Sequence, residues 1–371
     1  MKIFLTGATG FVGKHLLYYI LKDTDFTVTI PIREKKGKTP QQRFQSEFTD
    51  SPLFKNISLS LSRVSVIDRS IETLSAEDIS GSGATCFIHC AAMVKFNQPL
   101  ETLKEENYAS VKRIYEMCKM KFIYVSTCYV HPKDTEGGKP VSIEKGLPAE
   151  RFICDYAYSK YLAEEFLYEQ DSEIDIVRLS CVGVPLEDLP PMRGPAHLGL
   201  LEAGFRQLLP DIWFPEAITF SVVPVDIVSK NLIQIAAASH KGLHITQLSA
   251  PLNNETFNIS GLELGAPLFA ENNVTYWKGI DFKTFTTIVT AMYFWIPSLL
   301  HKIIDANYMI STVSSSVKFE SSIELPPVPK EEYLTRTREY VRRLVGSRSS
   351  HWAYSLFLWV KAWLVALLYR S

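Results

Sequence analysis

Short apolar runs alternate with longer amphipathic stretches along the first half of the chain. The apolar runs are rich in β-branched and aromatic residues, as buried strands are, and they lie at residues 2–6, 26–32, 64–67, 86–90, 122–126 and 174–179. Helical patterns separate most of them, notably at residues 14–21, 99–120 and 156–170. Strands that are joined by crossover helices form parallel sheets with helices on both faces. The pattern therefore predicts an α/β fold with a doubly wound parallel sheet.

The alternation becomes irregular after residues 184–194, which are rich in proline and glycine. We expect residues 1–184 to form the sheet domain, with further sheet elements near residues 220–260. Residues 185–219 and 261–345 are predicted to form a smaller, mostly helical substrate-binding region. This region would cover the carboxyl edge of the sheet, where ligands bind in this architecture. Residues 346–371 form an apolar tail.

A glycine-rich turn joins the first predicted strand to the first predicted helix, and its glycines follow a G-x-x-G-x-x-G spacing. Residues without a Cβ let the backbone reverse and approach a pyrophosphate closely, and the amides at a helix start hold the anion. This strand, turn and helix context is what the dinucleotide site of a Rossmann fold requires. The cofactor-binding residues predicted here are Thr6, Gly7, Thr9, Gly10, Phe11, Val12 and Gly13.

The end of the second predicted strand indicates which dinucleotide is bound. Arg33 stands twenty positions after Gly13, and Lys36 follows it closely. A guanidinium offers a two-pronged donor and positive charge to a 2′-phosphate, whereas an acidic residue accepts a hydrogen bond from a free 2′-hydroxyl. We therefore predict NADPH; the alternative is a solvated charged loop in which Glu34 holds the ribose. Asp68, after the third predicted strand, is either an acceptor for the adenine amino group or a turn residue.

Tyr156 and Lys160 are four positions apart in a predicted helix, so their side chains share one face. A nearby ammonium favours the phenolate, and we expect Lys160 to lower the pKa of Tyr156 from about 10 towards working pH. Tyr156 would then donate a proton as a hydride arrives. Together with the glycine turn, this pair predicts nicotinamide-dependent carbonyl chemistry.

Two hydroxyl residues stand where the fifth predicted strand leaves the sheet. We expect Thr127 to hydrogen-bond the substrate carbonyl. Ser126 is the alternative, because a strand end can display either side chain to the cleft. Asn107, in the helix after the fourth strand, either holds a water that connects Lys160 to solvent or caps or packs within its own helix.

Composition narrows the class of protein. The 371 residues, 46% of them hydrophobic, suffice for about two domains. A net charge of −1 gives no basic field, so nucleic acid is disfavoured as a partner. The six cysteines show no metal-ligand spacing, and we expect reduced thiols and no metal in a cytoplasmic protein. The N-terminus lacks a secretory pattern, because the glycine turn interrupts its apolar stretch.

These motifs resemble the extended short-chain dehydrogenase/reductase superfamily, and within it the branch of fatty acyl-CoA reductases and thioester reductases. The resemblance covers roughly residues 1–260. Its general signal is the glycine turn, Ser126 with Thr127, and Tyr156 with Lys160. The branch signal comprises residues 32–37, Arg43 with Phe44, and residues 89–96, 125–130 and 223–226. Two departures are Leu179, where the family usually has proline, and Cys90, where a small residue is common.

The resemblance implies an NADPH-dependent reductase that converts a fatty acyl thioester, either acyl-CoA or acyl-carrier protein, to an aldehyde or an alcohol. It implies that Thr127, Tyr156 and Lys160 occupy the catalytic positions and that Ala91 lies beside the cofactor. Alternatives on the same scaffold are a hydroxysteroid dehydrogenase and a nucleotide-sugar epimerase. A non-catalytic NADPH-binding protein would lack Tyr156 or Lys160, and both are present.

The last part of the chain carries two aromatic-rich segments. Residues 274–308 either line a tunnel for a lipid chain or form the core of a helical subdomain. Residues 352–369 are apolar except for Ser355 and Lys361, and this length is marginal for a bilayer span of about 20 residues. Tryptophans with flanking arginines suit a membrane interface. We predict peripheral attachment to a cytosol-facing membrane; the alternative is docking on the catalytic body or on the second subunit of a homodimer.

Overall fold

The computed structural model describes residues 1–94, 98–133, 143–194, 211–213, 219–251, 254, 256–260, 263, 275–277, 282–293 and 319–345. The apolar tail at residues 346–371 and most of residues 274–308 lie outside the described residues, so the predictions for a lipid tunnel and a membrane-interface segment stay predictions. Among the helices that are described, none combines the length and the apolar character that a bilayer span needs.

Strands and helices alternate along the described chain. The strands are β1 (Lys2–Thr6), β2 (Thr27–Pro31), β3 (Val64–Ile67), β4 (Cys86–His89), β5 (Lys121–Thr127), β6 (Ile174–Leu179), β7 (Cys181–Gly183), β8 (Asp211–Trp213), β9 (Thr219–Pro224), β10 (Leu243–Leu248), β11 (Asn258–Ser260) and β12 (Thr275–Trp277). The α-helices are α1 (Phe11–Asp23), α2 (Pro40–Phe44), α3 (Ala76–Gly81), α4 (Leu100–Lys104), α5 (Ser110–Met117), α6 (Asp155–Tyr168), α7 (Val225–Ala237), α8 (Phe282–Tyr293) and α9 (Lys330–Val345). Helical turns of the 3₁₀ type lie at Pro52–Arg63, Cys128–Val130 and Ala149–Arg151, and π-helical turns lie at Gln45–Thr49 and Glu105–Ala109.

Seven strands form one sheet in the order β10-β6-β5-β4-β1-β2-β3. Every neighbouring pair is parallel. The chain runs outward from β1 to β3, returns to β4 on the other side of β1, and continues outward to β10. The six predicted strands are all present, and β10 lies in the region where further sheet elements are expected. The predicted doubly wound Rossmann sheet is therefore confirmed.

The two faces of the sheet are covered by different helices. Strand residues such as Leu5 and Val125 pack in one apolar core with α1 and α7. Phe87 and Phe122 belong to a second core, with α5 and α6 on the other face. Because successive strand residues point to opposite faces, Tyr124 and the residues that alternate with it face α6. All the parallel strands end at one edge, so side chains from β1, β4, β5 and α6 meet there.

The described C-terminal elements pack beside the sheet. Smaller sheets pair β11, β9 and β7 in that order and β12 with β8. Tyr333 and Tyr340 of α9 are buried in the same core as α1. The Tyr340 hydroxyl accepts a hydrogen bond from the Met192 amide at 2.9 Å, which ties α9 to the chain after β7. The residue boundaries of the predicted substrate-binding region stay predictions.

Candidate active site

The glycine turn lies at the point where the strand order reverses, between β1 and β4. Gly7 has a φ of +75°, and a Cβ on it would lie 2.7 Å from the Ala91 nitrogen. A Cβ on Gly13 would overlap the Gly7 carbonyl oxygen. Gly10 is exposed and caps α1 without any side-chain hydrogen bond to the first amides. The glycines thus let the turn pack against the chain leaving β4 and leave the start of α1 clear of side chains.

The end of β1 is tied to the end of β4 by side chains. The Thr6 hydroxyl lies 3.0 Å from His89 Nδ1 and accepts a hydrogen bond from the Ala91 amide at 3.4 Å. Burial, with a smaller effect of the Lys160 charge, lowers the pKa of His89 to about 3. His89 is therefore neutral at physiological pH. Thr6 and Ala91, both predicted to bind the cofactor, hold the two loops of the reversal point together.

The basic loop after β2 is folded into a defined shape. Lys36 and Gly37 both have positive φ, of 53° and 71°, and paired main-chain bonds join Lys35 to Lys38. This is the two-residue hairpin that such angles permit. The buried Arg43 donates from Nη1 to the Arg33 carbonyl at 2.7 Å and so anchors the base of the loop.

The predicted phosphate ligand is held loosely. The Arg33 side chain is 56% exposed, and its Nη1 lies 3.9 Å from a Glu72 carboxylate oxygen. Glu34, Lys36 and Asp68 are exposed as well. The structure therefore presents Arg33 and Lys36 to solvent beside the end of β2.

Tyr156 and Lys160 are buried together on α6. Tyr156 is 8% exposed and Lys160 is 1% exposed. Lys160 Nζ donates to the Val125 carbonyl at 2.9 Å and lies 4.1 Å from the centre of the Tyr124 ring. The ammonium is thus fixed against β5, one helical turn from the phenol, as the four-residue spacing predicts.

The expected lowering of the Tyr156 pKa is wrong for this structure. Burial raises the pKa of Tyr156 above its usual value, and the neighbouring Cys154 and Cys90 thiols add smaller effects in the same direction. Burial also lowers the pKa of Lys160 to about 7. The reason is common to both residues, because removal from water disfavours the charged form of each group. Tyr156 is therefore a protonated phenol, and Lys160 titrates near neutrality.

The two hydroxyls at the end of β5 have different surroundings. Thr127 Oγ1 accepts a hydrogen bond from the Tyr129 amide at 3.3 Å, within the turn that follows the strand. Its proton is free to be donated elsewhere, because a hydroxyl is both acceptor and donor. The buried Ser126 hydroxyl has no hydrogen-bond partner among the described residues. By strand alternation Ser126 shares the face of Tyr124, beneath α6, and Thr127 shares the face of Val125.

Asn107 lies in the π-helical turn between α4 and α5 and is 2% exposed. Its Oδ1 accepts from the Met93 amide at 2.8 Å, and its Nδ2 donates to the Met93 carbonyl and to Ser159 Oγ, both at 3.1 Å. Ser159 in turn donates to the Tyr156 carbonyl at 2.8 Å. These contacts join the chain after β4 to the helix that carries Tyr156; they are not a cap or packing within the helix of Asn107 itself. The role in holding a water stays a prediction.

Residues 5–232 match the NAD-binding family that is described as male sterility protein. The chain belongs to this family. The match runs from β1 into α7 and includes the glycine turn, the end of β5 and the Tyr156–Lys160 pair. Fatty acyl-CoA reductase 1 of Homo sapiens is 27% identical over 289 residues, which are 65% of this chain and 55% of that protein. The chain thus spans about half the length of the curated relatives it matches.

Solved structures share the fold of this male sterility protein family member. The terminal R domain from the myxalamid biosynthetic pathway has a TM-score of 0.68 at 18% identity, with 91% of this chain and 89% of that one covered. UDP-glucuronic acid 4-epimerase from Bacillus cereus, in complex with UDP-glucuronic acid and NAD, has a TM-score of 0.61 at 19% identity, with 93% and 100% covered. The family model and these relatives bear out the predicted resemblance to fatty acyl-CoA reductases, and the solved structures bear out the predicted fold.

Two residues of this family member were not singled out from the sequence: Glu164, one helical turn after Lys160, and its partner Arg178. Glu164 is 0% exposed and Arg178 of β6 is 3% exposed, and they form a buried ion pair. The available signal was the spacing, because Glu164 follows Lys160 by four positions, as Lys160 follows Tyr156. Its partner Arg178 is 14 residues further along the chain, on β6, so the pairing depends on how α6 packs on the sheet.

A group of metal-type ligands within the described part of the chain lies at the opposite end of the sheet. It comprises Asp175, His240 and His244. Asp175 Oδ2 is 2.9 Å from His240 Nε2 and 3.1 Å from Lys121 Nζ. The Lys121 ammonium is already paired with the Asp175 carboxylate. We therefore interpret this group as an ion-pair cluster at the amino edge of the sheet, remote from Tyr156. The six cysteines are free, and Cys86, Cys118 and Cys128 are buried, as expected for reduced thiols.

Proposed function

We propose that this protein is an NADPH-dependent reductase that converts a fatty acyl thioester to an aldehyde or an alcohol. The observation that supports the proposal most strongly is the buried pair of Tyr156 and Lys160 on α6, at the carboxyl edge where the glycine turn contacts the chain after β4. The fatty acyl-CoA reductase relatives suggest the substrate class.

The residues around the reversal point fit a dinucleotide. The start of α1 carries an exposed glycine and no side-chain cap, which suits a pyrophosphate at the positive end of the helix dipole. Residues 6–13 would hold the pyrophosphate, and the chain from Cys90 to Ala91 would border the nicotinamide half. When bound, the coenzyme supplies the hydride.

NADPH is favoured over NADH by the charge of the loop after β2. Arg33, Lys35, Lys36 and Lys38 lie within six residues that also contain Glu34. A guanidinium forms two parallel hydrogen bonds with a phosphate. The Arg43 anchor fixes the main chain of Arg33 and leaves its side chain free to move towards a 2′-phosphate. Glu72, which lies 3.9 Å away, would be the partner that the phosphate displaces.

In the proposed reduction, the chain's own residues supply a proton and a hydrogen bond to the carbonyl oxygen. Hydride addition to the thioester carbonyl carbon moves the carbonyl π pair onto oxygen. Thr127 donates a hydrogen bond to that oxygen, and Tyr156 transfers its proton to it, which gives a hemithioacetal. Collapse of the hemithioacetal breaks the carbon–sulfur bond, releases the thiol and leaves the aldehyde. A second hydride addition would give the alcohol.

The raised pKa of Tyr156 suits this direction of reaction. A buried phenol stays protonated until the substrate oxygen needs a proton, and the charged form of Lys160 then stabilises the phenolate that remains. Thr127 is the preferred hydroxyl because its bond from the Tyr129 amide orients it and leaves its proton to donate. Ser126 remains the alternative, since its hydroxyl is buried beneath α6 without a described partner.

A substrate panel tests the proposal. The protein would be incubated with NADPH and, in separate reactions, with long-chain acyl-CoA, acyl-carrier protein, a ketosteroid and a nucleotide sugar, while the absorbance of reduced coenzyme is followed. Oxidation of NADPH with an acyl thioester and release of free thiol is the expected result. Turnover with the ketosteroid alone, or a change in the nucleotide sugar without net coenzyme oxidation, would replace the proposal with the corresponding alternative.

A further inference from the structure

Glu164 and Arg178 form a charge pair that is closed off from solvent. Glu164 Oε2 lies 3.0 Å from Arg178 Nε and 2.6 Å from Arg178 Nη2, and Oε1 lies 3.2 Å from Nε. Their side chains are 0% and 4% exposed. A buried ion pair is weak evidence for stability, because desolvation of two charges offsets their attraction. The position of this pair in the fold is therefore more informative about its role than the existence of the ion pair.

The pair lies directly beside the proposed catalytic face. Glu164 follows Lys160 by one helical turn and Tyr156 by two, so the three side chains share a stripe of α6. Arg178 is the register partner of Ser126 on β5. The pair therefore bridges the helix that carries Tyr156 and the strand beside the predicted hydroxyls.

Lys160 needs a compensating charge to stay protonated. The groups around it are Tyr156 and Glu164 on α6, Tyr124 on β5, and His89 with Cys90 at the end of β4. Burial keeps His89 neutral and raises the pKa of the Cys90 thiol to about 12, and it also raises the pKa of both tyrosines. Among these groups, the Glu164 side chain, which is ion-paired with Arg178, is therefore the one that acts on Lys160 against the effect of burial.

We propose that Glu164 and Arg178 act as a positioning pair: the Glu164 carboxylate keeps Lys160 in its charged form, and Arg178 holds that carboxylate in place. The two-pronged guanidinium fixes the orientation of the acid. The consequence for catalysis rests on the reductase proposed above, whereas the effect on the protonation of Lys160 does not.

Glu164→Gln tests the pair, with Glu169→Gln as the matched control. Glu169 is on the same stretch of chain, is 54% exposed and pairs with Lys145 at 2.9 Å, so both substitutions remove one negative charge. The readout is the pH titration of the Lys160 Nζ resonance in protein labelled with ¹⁵N-lysine, which is assigned from the spectrum of Lys160→Arg. Glu164→Gln should move this titration to lower pH by about one unit, and Glu169→Gln should leave it in place.

In active enzyme the alkaline fall of kcat should move by the same amount and in the same direction, because the charged form of Lys160 is the active one. If Glu164→Gln fails to fold, the double variant Glu164→Gln/Arg178→Met replaces both charges, a change that proteins tolerate far better than loss of one partner. A shift in the same direction is expected, smaller than in the single variant because the Arg178 cation is removed as well.

An unshifted Lys160 titration in the folded Glu164 variant overturns the inference. A shifted titration in a protein that reduces no acyl thioester leaves the inference standing and refutes the proposed function. Active wild-type enzyme with identical pH profiles for the two glutamine variants would refute the positioning pair and keep the reductase.

Discussion

Two buried lysines at opposite ends of the same sheet are held in different ways. Lys121 begins β5 at the amino edge, and its side chain is 6% exposed. Its partners are Asp175 at 3.1 Å, Glu173 at 3.4 Å and the main-chain carbonyls of Ile235 and Ala238, both at 2.7 Å. Lys160, near the carboxyl edge, is 1% exposed and has one main-chain carbonyl, an aromatic ring and an acid that is shared with Arg178.

The difference separates a structural lysine from one that is prepared for chemistry. Lys121 has two carboxylates and two carbonyls, so its charge is compensated where it joins β5, β6 and α7. Lys160 has less compensation than its burial demands, and its pKa is lowered to about 7. Groups with strongly perturbed pKa values beside a cleft are candidates for function. Removal of each lysine should therefore have opposite consequences for activity and for stability.

The largest expected effect is the loss of activity on substitution of Tyr156, at the carboxyl edge of the sheet. Tyr156→Phe removes the proton that the phenol donates and preserves the ring that packs in the core. We expect kcat to fall by about 10²- to 10⁴-fold, with the Kd for NADPH nearly unchanged. Steady-state kinetics and coenzyme fluorescence titration measure the two quantities. Full turnover by this variant would show that Tyr156 is not the acid.

Substitution of each lysine by methionine tests the proposed difference between a structural Lys121 and a catalytic Lys160. Lys160→Met should lower kcat by more than about 100-fold, because a charge that stabilises the transition state is lost, while stability is kept or rises since no ammonium has to be buried. Lys121→Met leaves Asp175 and Glu173 without their cation and should cost about 3–5 kcal/mol in the free energy of unfolding, with kcat of the folded protein unchanged.

Urea denaturation and kinetics on the same two preparations provide the comparison. Each variant serves as the control for the other, because both replace a buried ammonium with a thioether of similar length. Equal losses of stability, or equal losses of kcat, would mean that the environments of the two lysines do not distinguish a structural lysine from a catalytic one.

The coenzyme preference has a smaller expected effect, since Arg33 is exposed. Arg33→Ala should raise the KM for NADPH by about 10- to 100-fold, as expected for lost charge-assisted hydrogen bonds, and should leave the KM for NADH unchanged. Arg69→Ala is the matched control, because Arg69 is also half-exposed and pairs with Asp78 at 3.2 Å, close to the end of β3. An equal rise in KM for NADPH and NADH would mean that Arg33 only supports the loop after β2. Glu34 would then be the ribose ligand.

The sequence predicts the sheet well because each strand is a short apolar run and each crossover has a helical period. Local spacing also places Tyr156 and Lys160 on one face of a helix, and Gly7 at a turn that needs positive φ. These features depend on residues a few positions apart.

The electrostatics of the site depend on burial, which local spacing does not reveal. The spacing predicts that Lys160 lowers the pKa of Tyr156, yet both side chains are so deeply buried that desolvation has the larger effect on each pKa. The Glu164–Arg178 pair and the Arg43 anchor likewise join separate elements, over 14 and 10 residues of the chain. Contacts of this kind depend on how the elements pack as well as on the motifs.

The smallest expected difference between Lys160 and Lys121 is in the pH dependence of the free energy of unfolding. The folded-state pKa of Lys160, about 7, lies below its ordinary value of 10.5. Between these values the unfolded chain binds a proton that the folded chain lacks, so the contribution of Lys160 to the free energy of unfolding rises with pH. Below about 7 the ammonium is charged in both states and its burial penalty is fully present. Urea denaturation over this window should give a steeper rise for wild type and Lys121→Met than for Lys160→Met; identical slopes would mean that Lys160 is as well compensated as Lys121.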